Sequence, residues 1–248
     1  MSHNLPLALL ISCEHGGTDI PPVYAAIMKG RTVTAEGHIG FDRGAPPLAR
    51  RLAQRFPCAF HINTTNRFIV DMNRTPWNRA ELFRFATHDL DDAEKDRILA
   101  RVFQPYRLAV EQSVARLIAE GHFVLHLSVH SFAPVMRGVV RKTDIGLLFD
   151  PERPAETAFC DRWRGALLDL DPALQVDLNE PYSGLDDGFT LHLRKTWTDA
   201  TYAGIELEMN QRPLEANPAE WERRCDLVEQ SLARALPEMG LDVGGLTD

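Results

Sequence analysis

The stretch "LALLISCEHGG", residues 7–17, decides how the rest of the chain reads. Its first six residues are apolar but for a terminal serine, with the length and continuity of a buried strand. The run then passes without a break into a thiol, a carboxylate, an imidazole and two glycines, Cys13 to Gly17. Open α/β sheets carry their sites at the carboxyl ends of strands. A strand finishing in reactive side chains therefore reads as a site, with Gly16 and Gly17 leaving room for a metal and a substrate to approach the backbone.

Outward from this strand the pattern alternates. "CAFHIN" (58–63), "RFIVDM" (67–72), "HFVLHLSVHSF" (122–132), "DIGLLFD" (144–150) and "YAGIELEMN" (202–210) are strand-like. Helical spacing covers 42–56, 92–121, 153–169, 186–196 and 217–236, with Pro105 dividing the longest and Asn217 placed as an N-cap before Pro218. No repeat, low-complexity segment or linker interrupts the series. Alternation of this kind predicts one α/β domain over residues 1–248, a twisted, mostly parallel or mixed central sheet with helices on both faces.

Composition excludes some partners. Across 248 residues, 27 Lys and Arg face 35 Asp and Glu, a formal charge of −8, and no basic stretch offsets it. That balance speaks against nucleic acid or an anionic membrane as the main partner. No apolar run approaches the roughly 20 residues that span a bilayer. The N-terminus lacks a basic segment and a small-residue cleavage site, and Cys13, Cys58, Cys160 and Cys225 are scattered without a CxxC pair. Both features predict reduced thiols in the cytoplasm.

Three strands finish in reactive residues: His15, His130, and the pair Glu206 and Glu208; Asp42 opens the helix after the glycine-bearing loop. Two histidines and a carboxylate from separate strand ends make an open zinc site, with a fourth position for water. A further carboxylate must then take and return a proton. Glu206 and Glu208 are two apart on a strand, so both point to one face. Each residue also has a plainer reading. A strand-end histidine is often structural, Asp42 fits an N-cap, Cys13 fits a packed thiol, and mid-strand His126 fits a satisfied core histidine. Arg67, Asn73 and Arg74 flank the 67–72 strand candidate, and guanidinium forks match carboxylates; a solvated edge strand is the plainer account. "NEPYSGLDDGFTLH" (179–192) reads as a lid or as a turn with an aspartate N-cap.

Taken in order, "SCEHGG", "FDRGAPPLARRL", "NRFIVDMNR", "SVHSF", "DIGLLFD", "NEPYSGLDDGFT" and "GIELEMNQ" resemble the N-formylglutamate amidohydrolase family, from about residue 8 to residue 212. The resemblance implies a branch of the zinc carboxypeptidase and aspartoacylase-type hydrolases, with one catalytic Zn2+. It makes His15 and His130 ligands and puts Asp42 where the middle ligand is expected. Peptidase relatives keep that acid three residues after the histidine, where this chain has Thr18, so Glu36 and Glu14 stay open as alternatives. Strand alternation turns Glu14 away from His15. Glu208 fits the general base better than Glu206, Arg67 would polarise the scissile carbonyl, and Asn73 and Arg74 would hold a substrate carboxylate. Tyr182 and His192 are candidates for substrate contact. The implied reaction is hydrolysis of a small anionic N-acyl amino acid, N-formylglutamate to formate and glutamate. Two other readings stand beside it: an N-acetylmuramoyl-alanine amidase, which shares the "HGG" histidine, and a non-catalytic metal-binding relative.

Overall fold

The computed structural model describes residues 5–29 and 40–236. Glu36 lies outside them. The 7–17 stretch forms its strand, β1 (Leu7–Cys13). It is followed by β2 (Cys58–Ile62), β3 (Phe123–Phe132), a hairpin of β4 (Val135–Met136) and β5 (Val139–Val140), then β6 (Ile145–Leu148), β7 (Val176–Leu178) and β8 (Tyr202–Asn210). The central sheet has six strands in the order β2-β1-β3-β8-β6-β7. β2, β1, β3 and β8 run parallel, β6 is antiparallel to β8, and β7 is parallel to β6. The sheet is mixed, and the domain is α/β.

Helices are α1 (Ala45–Arg55), α2 (Arg79–Leu82), α3 (Asp92–Ile98), α4 (Gln104–Ala119), α5 (Pro154–Leu170), α6 (Phe189–Arg194), α7 (Arg212–Ala216) and α8 (Pro218–Ala235). They cover both faces. Odd-numbered residues of β1, β3 and β8, such as Leu9, Leu127 and Ile205, pack with Leu48 of α1, Trp163 of α5 and Val228 of α8. On the opposite face Leu10, Val124 and Tyr202 pack with Val110 of α4 and Phe189 of α6. Strands β3 and β8 are buried along their whole length. Even-numbered positions toward their carboxyl ends nevertheless carry His126, Ser128, His130, Glu206 and Glu208. This polar stripe in an otherwise apolar sheet lies where the site must be.

Several boundaries depart from the sequence pattern for identifiable reasons. "RFIVDM" is not a strand. The Asn66 side chain accepts from the Phe68 amide, the Asn66 carbonyl accepts from Ile69, and the Asp71 carboxylate accepts from the Asn73 amide. These local bonds compete with a ladder. The apolar residues Phe68, Ile69, Val70 and Met72 instead fill a second core with Leu82, Phe83, Ile98 and Phe103. Helix α1 starts at Ala45 because Gly44, at φ 83°, turns the chain just before it. Asp42 is therefore no N-cap. Pro105 does divide the long helix. It has no N–H for the carbonyl four residues back, and a π turn over Leu99–Phe103 joins α3 to α4. Asn217 caps α8 by accepting from the Glu220 amide.

Gly16 and Gly17 do leave room, but for the chain itself. A Cβ on Gly17 would lie 2.1 Å from the Thr64 carbonyl oxygen, and one on Gly16 would lie 2.5 Å from the Ile62 side chain. The loop after β1 thus packs directly on the end of β2. Backbone cannot yield as a side-chain tip can, so Gly17→Ala is expected to destabilise the fold by about 2–3 kcal/mol. Gly165, inside α5 with open space around it, gives the opposite sign: Gly165→Ala should stabilise by about 0.5–1 kcal/mol. Urea unfolding of both variants against the parent checks the pair.

Candidate active site

The site forms where β1, β3 and β8 end together. His15 lies just beyond β1, and Asp42 is brought beside it by a backbone bond from the Asp42 amide to the His15 carbonyl, 3.0 Å. His130 faces them from β3, two residues before that strand ends. Asp42 Oδ2 lies 3.3 Å from His15 Nδ1 and 2.8 Å from His130 Nδ1. One donor atom from each of the three residues falls within 4.8 Å of the others, and all three residues are buried. The arrangement suits a metal ion.

The far nitrogen of each ring is also matched. His15 Nε2 meets Asp71 Oδ1 at 2.6 Å, while His130 Nε2 meets Ser128 Oγ at 2.8 Å and Glu14 Oε2 at 3.3 Å. A carboxylate behind a ligating histidine fixes its tautomer and orientation. Asp71 and Glu14 therefore stand behind the rings. Glu14 does turn away from His15, as alternation predicts, and that turn brings it behind His130. Tyr106 and Ser128 donate to its two oxygens.

Burial alone would protonate these acids. His15 and His130 outweigh it at Asp42, as Arg67 and His15 do at Asp71 and His130 does at Glu14, so all three are held below the usual carboxylate range. Burial likewise opposes the cationic form of His130, yet Asp42 and Glu14 hold it well above the ordinary imidazole range. Three buried acids, Asp42, Asp71 and Glu14, thus face two imidazoles, an excess of acidic groups that suits a bound cation.

Glu208 differs from these acids. It stands directly beside His130 in the parallel β3–β8 register, and opposite Gly146 of β6. Its Oε2 is buried with no hydrogen-bond partner among the described residues. Burial first, opposed by His130 and assisted by Asp42 and Glu206, pushes its pKa up to about 8. Glu206, on the same face, is committed elsewhere: it accepts from Thr190 Oγ1 at 2.6 Å and Asn73 Nδ2 at 3.2 Å. The two glutamates look alike in sequence, and their neighbours separate them.

The arginines and the loop also have definite places. Arg67 Nη2 donates to Asp71 at 2.7 Å, and Nη1 is 3.7 Å from Asp42 Oδ1, so Arg67 adjoins the cluster. Asn73 Nδ2 reaches within 3.5 Å of His130 Nε2, and its Oδ1 accepts from the Phe189 amide. Arg74 donates Nη1 to the Asn73 and Asp187 carbonyls. Asp187 accepts from Thr75 and Asn78, and Gly188 rather than an aspartate precedes α6. The 179–188 loop is thus stitched to 73–78. Tyr182 accepts a hydrogen bond from Arg141, whereas His192 turns to Glu111, Trp77 and Phe189. His192 makes its contacts away from the His15–Asp42–His130 group.

The sequence model of the N-formylglutamate amidohydrolase family matches residues 7–214. This chain belongs to the N-formylglutamate amidohydrolase family. Among solved structures, gene product Atu2144 from Agrobacterium tumefaciens is similar, with a TM-score of 0.79 at 25% identity over 96% of this chain and 94% of that one. The N-formylglutamate amidohydrolase from Ralstonia eutropha JMP134 shares the fold, with a TM-score of 0.66 at 18% identity over 95% of this chain and 96% of that one. A comparison with curated protein sequences finds no match. Membership makes this an amidohydrolase-family chain. Among the described residues no helix is long and apolar enough to cross a membrane.

In this family member the remaining histidine of β3 is structural. His126 bonds Ser12 Oγ at 2.7 Å and Tyr202 Oη at 2.8 Å, and burial lowers its pKa to about 4. Unfolded, it would titrate near the ordinary value of about 6.5. Its folded pKa is depressed, so its contribution is whole above about 6.5 and lost as pH falls toward 4. Between pH 7 and pH 5 the parent should lose about 2 kcal/mol more stability than His126→Gln does, read as the difference in urea unfolding at the two pH values.

Proposed function

We propose that the chain is a zinc-dependent amidohydrolase that cleaves N-acyl amino acids, with N-formylglutamate, giving formate and glutamate, as the leading substrate. One observation carries the reading: the buried His15–Asp42–His130 donor set lies beside Glu208, a carboxylate with an unpartnered oxygen. Family membership supports the reaction class. Two imidazole nitrogens and one carboxylate oxygen are donors that zinc accepts with a position left open, and the cluster's negative charge fits a divalent cation. When bound, such an ion supplies Lewis acidity toward a carbonyl and toward water.

The chain's own groups do the rest. Among the described residues Glu208 has no competing donor on Oε2, so once ionised that oxygen is free to take a proton from the attacking water. It then returns that proton to the leaving nitrogen. Arg67, held in place by Asp71, turns its positive charge toward the oxygen that gains charge in the transition state. Asn73 donates to Glu206 and accepts from the Phe189 amide, so it holds Glu206 and the start of α6 beside His130. Asp71 and Glu14 keep the two rings in the orientation that presents Nδ1. The cytoplasmic location belongs to the same proposal, supported by four cysteines that are all unpaired.

Glutamate release from N-formylglutamate is the test, with zinc-loaded parent and Glu208→Gln at equal zinc content. Turnover by the parent and a fall in kcat of about 10²–10⁴-fold in the variant are expected. A zinc-loaded parent that releases no glutamate removes this substrate. A panel of other N-acyl amino acids and a muramoyl amide then separates the remaining hydrolases from a non-catalytic metal binder. Independently, Asp71→Asn should weaken zinc binding by about 10–100-fold in a chelator competition. Unchanged affinity would mean that His15 is not a ligand oriented by Asp71.

A further inference from the structure

An acidic site that acts on an acidic substrate needs a cation to hold the substrate's carboxylate. The arginines nearest the cluster are already engaged. Arg67 is shared between Asp71 and Asp42, and Arg74 donates Nη1 to the Asn73 and Asp187 carbonyls while its Nε lies 4.0 Å from Glu81 Oε2. Arg141 is different. Among the described residues no carboxylate lies within ion-pair distance of it. Its guanidinium donates to Tyr182 Oη at 2.9 Å, to Met136 Sδ at 2.9 Å and to the Ala133 carbonyl at 3.5 Å, and its central carbon lies 4.7 Å from the Tyr182 ring centroid and 5.5 Å from that of Phe132.

The position is built rather than accidental. Arg141 follows the β4–β5 hairpin, and Asn210 Nδ2 ties the carbonyls of Arg141 and Thr143 to the end of β8 at 3.4 and 2.7 Å. Asn210 is two residues beyond Glu208 on the same strand and lies on the same face. The Arg141 charge acts on Glu208, and the Tyr182 hydroxyl feels both Glu208 and Asp42. Arg141 and Tyr182 are both half-buried, which suits a group that meets a ligand from solvent. Aromatic faces hold a guanidinium in place, and the N–H groups of Arg141 that Tyr182, Ala133 and Met136 do not take remain for an anion.

We propose that Arg141, oriented by Tyr182 and Phe132, is the anchor for a substrate carboxylate and sets the preference of the site for acidic N-acyl amino acids. The proposal rests on the amidohydrolase reading for its substrate class, but its anion-binding part can be tested without turnover. It moves the carboxylate-holding role that the resemblance gives Arg74 to a residue outside the quoted motifs.

The experiment is calorimetric titration of glutarate and, separately, butyrate into the zinc-loaded protein, as parent, Arg141→Gln and Arg141→Lys. Glutarate binding is expected to weaken about 10–100-fold in Arg141→Gln, as loss of a charge-assisted fork implies, with butyrate changed less than about twofold and Arg141→Lys in between. Equal loss for both probes, or no loss for glutarate, would overturn the anchor. Tyr182→Phe keeps the test open should Arg141→Gln fail to fold, since it removes only the hydroxyl that aligns the guanidinium: a smaller selective loss for glutarate supports the proposal, and none overturns it. Kinetics with N-formylglutamate and N-formylmethionine separate the two readings. If the parent hydrolyses neither while glutarate affinity still depends on Arg141, the reaction fails and the anchor stands. If it hydrolyses both and Arg141→Gln leaves the KM ratio unchanged, the reaction stands and the anchor fails.

Discussion

Everything around the site depends on one buried carboxylate, Asp42, which meets Nδ1 of both His15 and His130. A carboxylate removed from water is costly unless cations and donors surround it. The structure answers in layers. Asp42 holds the two rings, and Asp71 and Glu14 hold their far nitrogens. Arg67, Tyr106 and Ser128 then satisfy those outer acids. Removing an acid or an imidazole from this set leaves its neighbours with fewer partners for a buried charge. This mutual dependence brings together strand ends and loops that are distant in sequence.

The sheet divides its labour accordingly. One face of β1, β3 and β8 is apolar throughout and packs under α1, α5 and α8, which supplies the burial that any domain of this size needs. The other face is apolar only toward the amino ends of the strands. Toward their carboxyl ends it gives way to His126, Ser128, His130, Glu206 and Glu208. The glycines of the region serve close backbone contact. Gly17 lets the loop after β1 meet Thr64, and Gly146 lets β6 pass the Glu180 carbonyl beside Glu208. Close packing of this kind holds Glu208 in a fixed place beside β6.

The period of two in β3 and β8 and the continuous apolar run of β1 made these strands legible, and with them the shared face of Glu206 and Glu208. The helices over 154–170 and 218–235 were equally plain, because their spacing and the prolines that open them are local signals. "RFIVDM" was misleading for a physical reason. Its apolar residues are as suited to a strand as those of β1, but the flanking Asn66 and Asp71 satisfy the backbone locally, and a separate core receives the side chains. Likewise nothing in "GFDRGA" shows that Asp42 leaves the helix start to Gly44 and turns to the histidines.

By itself the sequence determined the fold class, the strands that carry the site and the residue types available for chemistry there, because each of these follows from local periodicity and from which residues finish a strand. Only the tertiary structure decided the partnerships: Glu14 behind His130, Asp71 behind His15, Glu206 committed to Thr190 and Asn73 while Glu208 Oε2 meets no donor among the described residues, and Arg74 bound to the Asn73 and Asp187 carbonyls while Arg141 meets no acid among those residues. Such distinctions arise from contacts between segments tens to more than a hundred residues apart. Burial and hydrogen bonding set by those contacts give identical side chains different charges and different roles.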